Sequence, residues 1–251
     1  MGRSMPEVDV ALLKKYDRPG PRYTSYPTAP LFQPTFTAQD LADEIRATNT
    51  PGTTADLSLY YHFPFCDTLC YFCGCTMLVT RDRNRIDEYL RYIKKEMSYV
   101  APHIAPDRRV TQLHWGGGTP THLSPDQITD IATTIRQSFR FAPDAECSVE
   151  IDPRELDRAH LEALSAAGFN RMSMGVQDFE HEVQVAVNRV QPESVSRRVY
   201  DWARDLGFSS INIDLMYGLP HQTLASFERT IRGVLTFGPD RIAVFNYAHV
   251  P

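Results

Sequence analysis

Residues 57–75 read LSLYYHFPFCDTLCYFCGC and carry four of the five cysteines in this 251-residue chain. The apolar run at 57–63 predicts a β-strand, and the cysteines follow it at the spacing C-x3-C-x2-C-x-C. Thiolates are the preferred ligands of iron–sulfur clusters and of zinc. Three cysteines in one loop can hold three irons of a [4Fe–4S] cube and leave the fourth iron open to a small molecule. A zinc loop is disfavoured, because the cysteines do not form two separated C-x2-C pairs and no histidines at helical spacing accompany them; it stays an alternative, as does chance clustering.

Length and composition narrow the class of protein. Hydrophobic residues make up 42% and charged residues 23% of the chain, as in ordinary globular proteins. The net charge of −5 argues against nucleic acid as the main partner. No apolar run approaches the ~18 residues of a membrane span, and the first residues lack a signal-peptide core. We therefore expect a cytoplasmic protein with no membrane partner, in which disulfides are disfavoured.

After residue 57 the sequence repeats a strand, a loop and a helix. Such alternation predicts parallel strands joined by right-handed crossovers. Polar residues and glycines fall near the carboxyl ends of several strands, where parallel sheets build their sites. We therefore predict an α/β fold, a partial (β/α)6 barrel at 57–251 preceded by an N-terminal arm and linker at 1–56. The predicted strands are 57–63, 110–115, 147–151, 171–176, 211–217 and 241–247.

The segment 18–28 is too rich in proline and glycine for a helix or a central strand. It is expected to run extended over a surface. Arg22, Tyr23 and Tyr26 lie close together in it, and a guanidinium with two phenols suits carboxylates and a flat ring system. A plain linker and a binding arm are both compatible with this composition.

Other residues near strand ends are candidates for ligand contacts. The three glycines at 116–118 remove side chains, so that the backbone can approach a ligand closely; a tight turn is the structural alternative. Glu150 and Asp214 suit hydroxyl or ammonium groups, although helix capping or ion pairing would also use them. His114 is more simply a packed strand histidine, and Cys147 a small buried hydrophobe.

The cysteine loop resembles that of the radical S-adenosylmethionine (SAM) superfamily. The cysteine loop and four further motifs together make the chain similar, over nearly its whole length, to the oxygen-independent coproporphyrinogen III oxidase family. These motifs are PRYTSYPT at 21–28, HWGGGTPT at 114–121, SMGVQDF at 173–179 and FNYAH at 245–249. Where the superfamily often has Gly-Gly-Glu, this chain has Gly118, so backbone carbonyls would replace the carboxylate.

The resemblance implies a [4Fe–4S] cluster on Cys66, Cys70 and Cys73 and two SAM molecules. Cys75 is the family's fourth cysteine and is not expected to bind iron; its role stays open. The SAM on the cluster is expected to contact Tyr60, Gly117 and Glu150. The other expected SAM contacts, mostly to the second molecule, are Phe72, Gly118, Thr119, Gln177, Arg189, Asp214 and Ala248. Arg22 and Tyr23 are the expected substrate contacts.

The implied reaction is oxidative decarboxylation of two propionates of coproporphyrinogen III, giving protoporphyrinogen IX in haem biosynthesis. The expected partners are this porphyrinogen, an electron donor and an electron acceptor, and the expected state is a monomer. A related branch that binds or transports haem is the alternative, although it generally lacks the fourth cysteine and the arm at 22–27. Family members continue into a helical C-terminal domain, so we expect this chain to be a truncated member.

Overall fold

The structure is a computed structural model that describes residues 9–17, 28–49 and 55–248. By its internal contacts the chain divides into residues 1–43 and residues 44–251. The first unit contains α1 (Val10–Tyr16), whose N-terminus is capped by the Asp9 carboxylate, and the start of α2 (Ala38–Ala47). The predicted boundary at residue 56 stays a prediction, and residues 18–27 of the predicted arm lie outside the described residues.

Six parallel strands form the main sheet of the second unit, and their spatial order follows the chain. A doubly wound sheet would change direction at a switch point, whereas this order never reverses. The predicted α/β fold with a parallel sheet is therefore confirmed. The strands are β1 (Leu57–Phe63), β4 (Val110–Gly117), β5 (Phe141–Ile151), β6 (Arg171–Gln177), β7 (Ser210–Tyr217) and β8 (Arg241–Asn246). A separate parallel pair is formed by β2 (Phe65–Cys66) and β3 (Leu78–Val79).

Helices cover one face of this sheet, and the hydrophobic core lies between the helices and the sheet. These helices are α3 (Arg83–Val100), α4 (Pro125–Ser138), α5 (Arg158–Ala166), α7 (Glu193–Asp205) and α8 (Leu224–Leu235). The short α6 (His181–Ala186) instead places Val183 in a separate small cluster with Leu219. The side chains alternate along β7, so that Ile211 and Ile213 are buried in the core while Asn212 and Asp214 lie on the opposite face. No helix in the described part of the chain is both long and apolar enough to cross a membrane.

The third main strand differs from its predicted bounds. It begins at Phe141 rather than at residue 147, and the added residues include Pro143 and Asp144. The register between β4 and β5 is irregular after Val110, and both residues lie exposed in that irregularity, where a proline costs no ladder hydrogen bond. The short helix α6 was not predicted at all.

Candidate functional site

The cysteine loop leaves β1 at the carboxyl edge of the sheet and is closed at its base by the pairing of β2 with β3. Leu78 N donates to Pro64 O at 2.6 Å, and Thr80 N donates to Cys66 O at 3.0 Å. The far side of the loop is fixed by the segment that follows α6. Tyr71 N donates to the carbonyl of residue 187 at 3.0 Å, and the Asn188 amide donates to the carbonyl of residue 69 at 2.8 Å. The loop is therefore held at both ends.

Cys66, Cys70, Cys73 and Cys75 all line one cavity of about 240 Å³. All five cysteines of the chain are free thiols, and Cys147, as predicted, is buried away from the loop. The same cavity brings together most of the other predicted site residues. These are Phe72, Gly117, Gly118, Thr119, Glu150, Gln177, Arg189 and Asp214.

Two predicted SAM contacts do not line this cavity. The Tyr60 ring stacks on His114 with 5.7 Å between ring centroids, and His114 Nε2 lies 3.2 Å from a Glu150 carboxylate oxygen. Tyr60 also lies next to Glu150, since the ring and the carboxylate would both touch a Cβ at Gly116, and so it stands at the edge of the cavity. Ala248 follows β8 and is exposed. Arg22 and Tyr23 lie outside the described residues, so their substrate contacts stay predictions.

Hydrogen bonding makes the cysteines chemically unequal. The Cys75 thiol donates to Cys73 and lowers the pKa of Cys73 to about 6, while the same bond raises the pKa of Cys75. Burial raises the pKa of Cys66, whose Sγ lies 3.5 Å from the Thr119 hydroxyl. Since the thiolate is the form that binds metal, the lowered pKa favours Cys73 over Cys75 as the candidate ligand, and the assignment stays a prediction.

Sequence reasoning missed Arg154, which completes a charged group at the floor of the cavity. The Asp152 carboxylate accepts from Arg154 Nη2 at 2.6 Å and from Arg189 Nη1 at 2.8 Å. Burial would raise the pKa of Asp152, but the two guanidiniums outweigh it and the pKa lies below its usual value. Both arginines also reach Cys70, with 3.6 Å from a guanidinium nitrogen to Sγ in each case. An Asp-x-Arg sequence at a strand end was the available signal.

The residues present fit an anionic cluster together with a polar cofactor. Three thiols on one loop could supply the ligands of a cube. Arg154 and Arg189 share one carboxylate, so one positive charge would remain to offset the negative charge of such a cluster. Gln177 Oε1 and Arg189 Nε are buried and have no hydrogen-bond partner among the described residues. Gln177 also has a φ of 69°, a strained conformation for a non-glycine residue that is typical of functional sites. A polar ligand in the cavity would satisfy both orphaned atoms.

The glycine run serves close packing rather than open amides. The N–H groups of Gly117, Gly118 and Thr119 already donate, to Glu150 and to the carbonyls of residues 63 and 65. Gly117 has a φ of +125°, and a Cβ on Gly118 would lie 2.8 Å from Pro64 and 2.9 Å from Cys66 Sγ. The backbone therefore approaches the cysteine loop at these glycines, and a cofactor could use only their carbonyls or Cα atoms.

The variant Gly118→Ala is expected to displace Cys66 and to reduce iron uptake on anaerobic reconstitution several-fold. The new methyl group has backbone atoms of Pro64 and the Cys66 sulfur within 2.9 Å, and a backbone clash cannot be relieved by a rotamer change. Gly74→Ala is the matched control, because a Cβ at Gly74 meets nothing within 4 Å. Iron and sulfide assays on both variants decide the matter; equal iron content in the two would contradict this reading of the glycine run.

A second cavity of about 440 Å³ lies on the polar face of the sheet, opposite the helices. It shares Glu150, Ser173 and Asp214 with the cavity of the cysteines. Burial raises the pKa of Asp214, whose carboxylate accepts from the Ser173 hydroxyl at 2.9 Å and from the Asn212 amide at 2.7 Å. The two cavities therefore adjoin each other at Glu150, Ser173 and Asp214.

Comparison with known proteins agrees with this geometry. The profile described as "Radical SAM superfamily" matches residues 60–234. The chain belongs to this superfamily. This radical SAM protein is 51% identical over 251 residues to the oxygen-independent coproporphyrinogen III oxidase of Salmonella typhimurium. The match covers 100% of this chain and 54% of that protein. The chain thus spans about half the length of the curated relatives that it matches.

Solved structures show the same relation. The coproporphyrinogen III oxidase HemN of Escherichia coli, described as a radical SAM enzyme, superimposes with a TM-score of 0.86 at 48% identity, over 98% of this chain and 54% of that one. The fold alone is shared with Streptococcus suis SuiB, solved bound to S-adenosylmethionine. That superposition has a TM-score of 0.52 at 15% identity, over 78% of this chain and 41% of that one.

Proposed function

We propose that this chain is the barrel part of an oxygen-independent coproporphyrinogen III oxidase. Its cavity would hold a [4Fe–4S] cluster on Cys66, Cys70 and Cys73, with SAM beside it. The observation that carries the proposal is the convergence of these three thiols with polar side chains from four neighbouring strand ends on one cavity. The similarity in sequence to oxidases of that name supports the choice of substrate.

The cluster, when bound, would supply the electron that cleaves SAM to a 5′-deoxyadenosyl radical. The chain's own residues would bind and orient SAM. Glu150 presents a carboxylate oxygen to the cavity and is positioned by its contact with His114 at 3.2 Å. Gln177 and Arg189 would offer the two orphaned polar atoms, and Asp214 would offer a half-buried acceptor.

A second SAM molecule is part of the proposal. The second cavity adjoins the first and shares Asp214 and Ser173 with it, which gives a second ligand a place within reach. Asp214 lines both cavities, and the other expected contacts on the side of the cysteines are Phe72, Gln177, Arg189, Gly118 and Thr119. Ala248, which lines neither cavity, is the remaining expected contact. A ratio of two SAM bound per chain in equilibrium dialysis of the reconstituted protein is the expected result.

In the proposed reaction, the 5′-deoxyadenosyl radical would take a hydrogen atom from the propionate carbon β to the carboxylate and become 5′-deoxyadenosine. The substrate radical would then lose CO2 and pass one electron to an acceptor, leaving a vinyl group. Two such events give protoporphyrinogen IX. The partners would be a one-electron donor, a one-electron acceptor and the porphyrinogen, in the reducing conditions of the cytoplasm. A monomer is part of the same proposal.

The proposal is tested by anaerobic reconstitution with iron and sulfide, followed by SAM, a reductant and coproporphyrinogen III. The Salmonella typhimurium oxidase serves as the positive control. We expect about four irons per chain, 5′-deoxyadenosine and binding of the porphyrinogen, with products analysed by mass spectrometry. A chain that takes up no iron would contradict the cluster. One that binds haem in preference to coproporphyrinogen III would favour the haem-binding branch.

Arg22→Lys is expected to weaken coproporphyrinogen III binding about tenfold while SAM binding stays unchanged. Arg22 stands in a proline-framed segment, and a bidentate contact between guanidinium and carboxylate is not reproduced by lysine. Isothermal titration under anaerobic conditions measures both ligands. Tyr23→Phe is the companion variant for the phenol. Unchanged porphyrinogen affinity in Arg22→Lys would remove this residue from the substrate site.

A further inference from the structure

Two arginines lie within hydrogen-bond distance of one candidate cluster ligand. Arg154 Nη2 and Arg189 Nη1 each lie 3.6 Å from Cys70 Sγ. The side-chain hydrogen bond found for Cys66 is to the neutral hydroxyl of Thr119, and among the described residues no arginine hydrogen-bonds to Cys66 or Cys73. The three sulfurs thus differ in the number of charged hydrogen-bond donors that they accept from.

Asp152 fixes this arrangement. Its carboxylate accepts from Arg154 through both Nε and Nη2, at 3.0 Å and 2.6 Å, and from Arg189 at 2.8 Å. The side chains of Asp152, Arg154 and Arg189 are 12%, 17% and 9% exposed, so water does not compete strongly for them. The carboxylate therefore aims two nearly buried guanidiniums at one sulfur.

Hydrogen bonds to the sulfur ligands are among the factors that set the reduction potential of an iron–sulfur cluster. An N–H donor stabilises the state with more negative charge on sulfur, which is the reduced state. The effect is larger where the donor is charged and shielded from water. Donors on Cys70 alone would also make the cluster electronically asymmetric.

We propose that Arg154, positioned by Asp152, donates an N–H···S hydrogen bond to Cys70 and raises the reduction potential of the cluster held there. This inference rests on the proposed cluster site and adds to it a residue that tunes the electron-transfer step. Arg189 shares the contact, but its orphaned Nε also faces a cofactor. Arg154 is therefore the cleaner residue to test.

The experiment is a potentiometric titration of the reconstituted chain, followed by electron paramagnetic resonance of the reduced cluster. Arg154→Met keeps the length of the side chain and removes its charge and its N–H groups. Asp152 remains paired with Arg189, so the variant is expected to fold. We expect an unchanged iron content and a reduction that is about tenfold less favourable, a potential about 59 mV lower for one electron.

Two further variants separate a hydrogen bond from a general charge effect. Arg154→Lys keeps the charge, but an ammonium cannot span Asp152 and the sulfur as a planar guanidinium does. We therefore expect Arg154→Lys to show at least half of the fall in reduction potential expected for Arg154→Met. Arg81→Met removes an arginine whose partner Asp67 directly follows Cys66, at 3.2 Å from Arg81 Nε to Asp67 Oδ1. Arg81 makes no hydrogen bond to a thiol among the described residues, so the reduction potential of the cluster in Arg81→Met is expected to equal that of the wild type.

The outcomes distinguish this inference from the proposed function. Wild-type potentials in Arg154→Met, or full recovery in Arg154→Lys, would overturn the tuning role while leaving the cluster site intact. A chain that binds no iron under any condition would overturn the cluster site itself. An equal shift in Arg81→Met would also overturn the tuning role, because loss of charge without contact would then suffice.

Discussion

Cys70→Ala is expected to abolish the visible absorption of the iron–sulfur cluster, and Cys66→Ala and Cys73→Ala are expected to do the same. All three thiols lie on one loop and face one cavity, and a cube held by three protein thiolates needs every one of them. Iron and sulfide contents after anaerobic reconstitution, read beside the absorption spectrum, measure the effect. We expect each variant to retain less than about a tenth of the wild-type iron.

Cys75→Ala is the matched control within the same loop, and it is expected to keep the cluster. The hydrogen bond that raises the pKa of Cys75 lowers that of Cys73, so we expect Cys75 to donate to a cluster ligand rather than to bind iron itself. Cys147→Ala, a buried thiol outside the cavity, controls for the loss of any cysteine. If Cys75→Ala lost iron as completely as Cys70→Ala, the proposed assignment of the cluster ligands would be wrong.

The sheet could be predicted from sequence because its signals are local. Apolar runs such as 57–63 and 211–217 are bounded by glycine and proline, and the crossover helices show apolar residues at helical spacing. The parallel order then follows from the connections. The cysteine loop was equally accessible, since its ligands are separated by two or three residues and their geometry depends little on the remainder of the chain.

The missed features depend on contacts between distant segments. Arg154 reads as an ordinary charged residue after a strand, and only the fold brings Arg189 to the same carboxylate. The pairing of β2 with β3 involves two residues in each strand, too few for any periodicity. The close packing of the glycine run was missed for the same reason, because its nearest neighbours include backbone atoms of Phe63 and Pro64; its ligand contacts stay a prediction.

Asp152→Asn is expected to lower the free energy of unfolding of the iron-free chain by about 3–5 kcal/mol at neutral pH. The carboxylate holds Arg154 and Arg189 at 2.6 Å and 2.8 Å, and the amide would leave two nearly buried cations without a counterion. Urea unfolding measures the change. Glu228→Gln is the control, because the pair of Glu228 and Arg232 has side chains 62% and 75% exposed, and such surface pairs contribute about 0.5 kcal/mol or less.

The pH dependence separates lost charge from lost packing at Asp152. The folded-state pKa of Asp152 lies below the usual value of 3.8, so its stabilising contribution is complete above that value and is lost as the pH falls through the folded pKa. The difference between wild type and Asp152→Asn should therefore be constant from about pH 7 to about pH 5 and shrink below about pH 4. A difference that persists undiminished in acid would mean that packing, not charge, accounts for the loss. The carboxylate would then not be what holds the two arginines against Cys70.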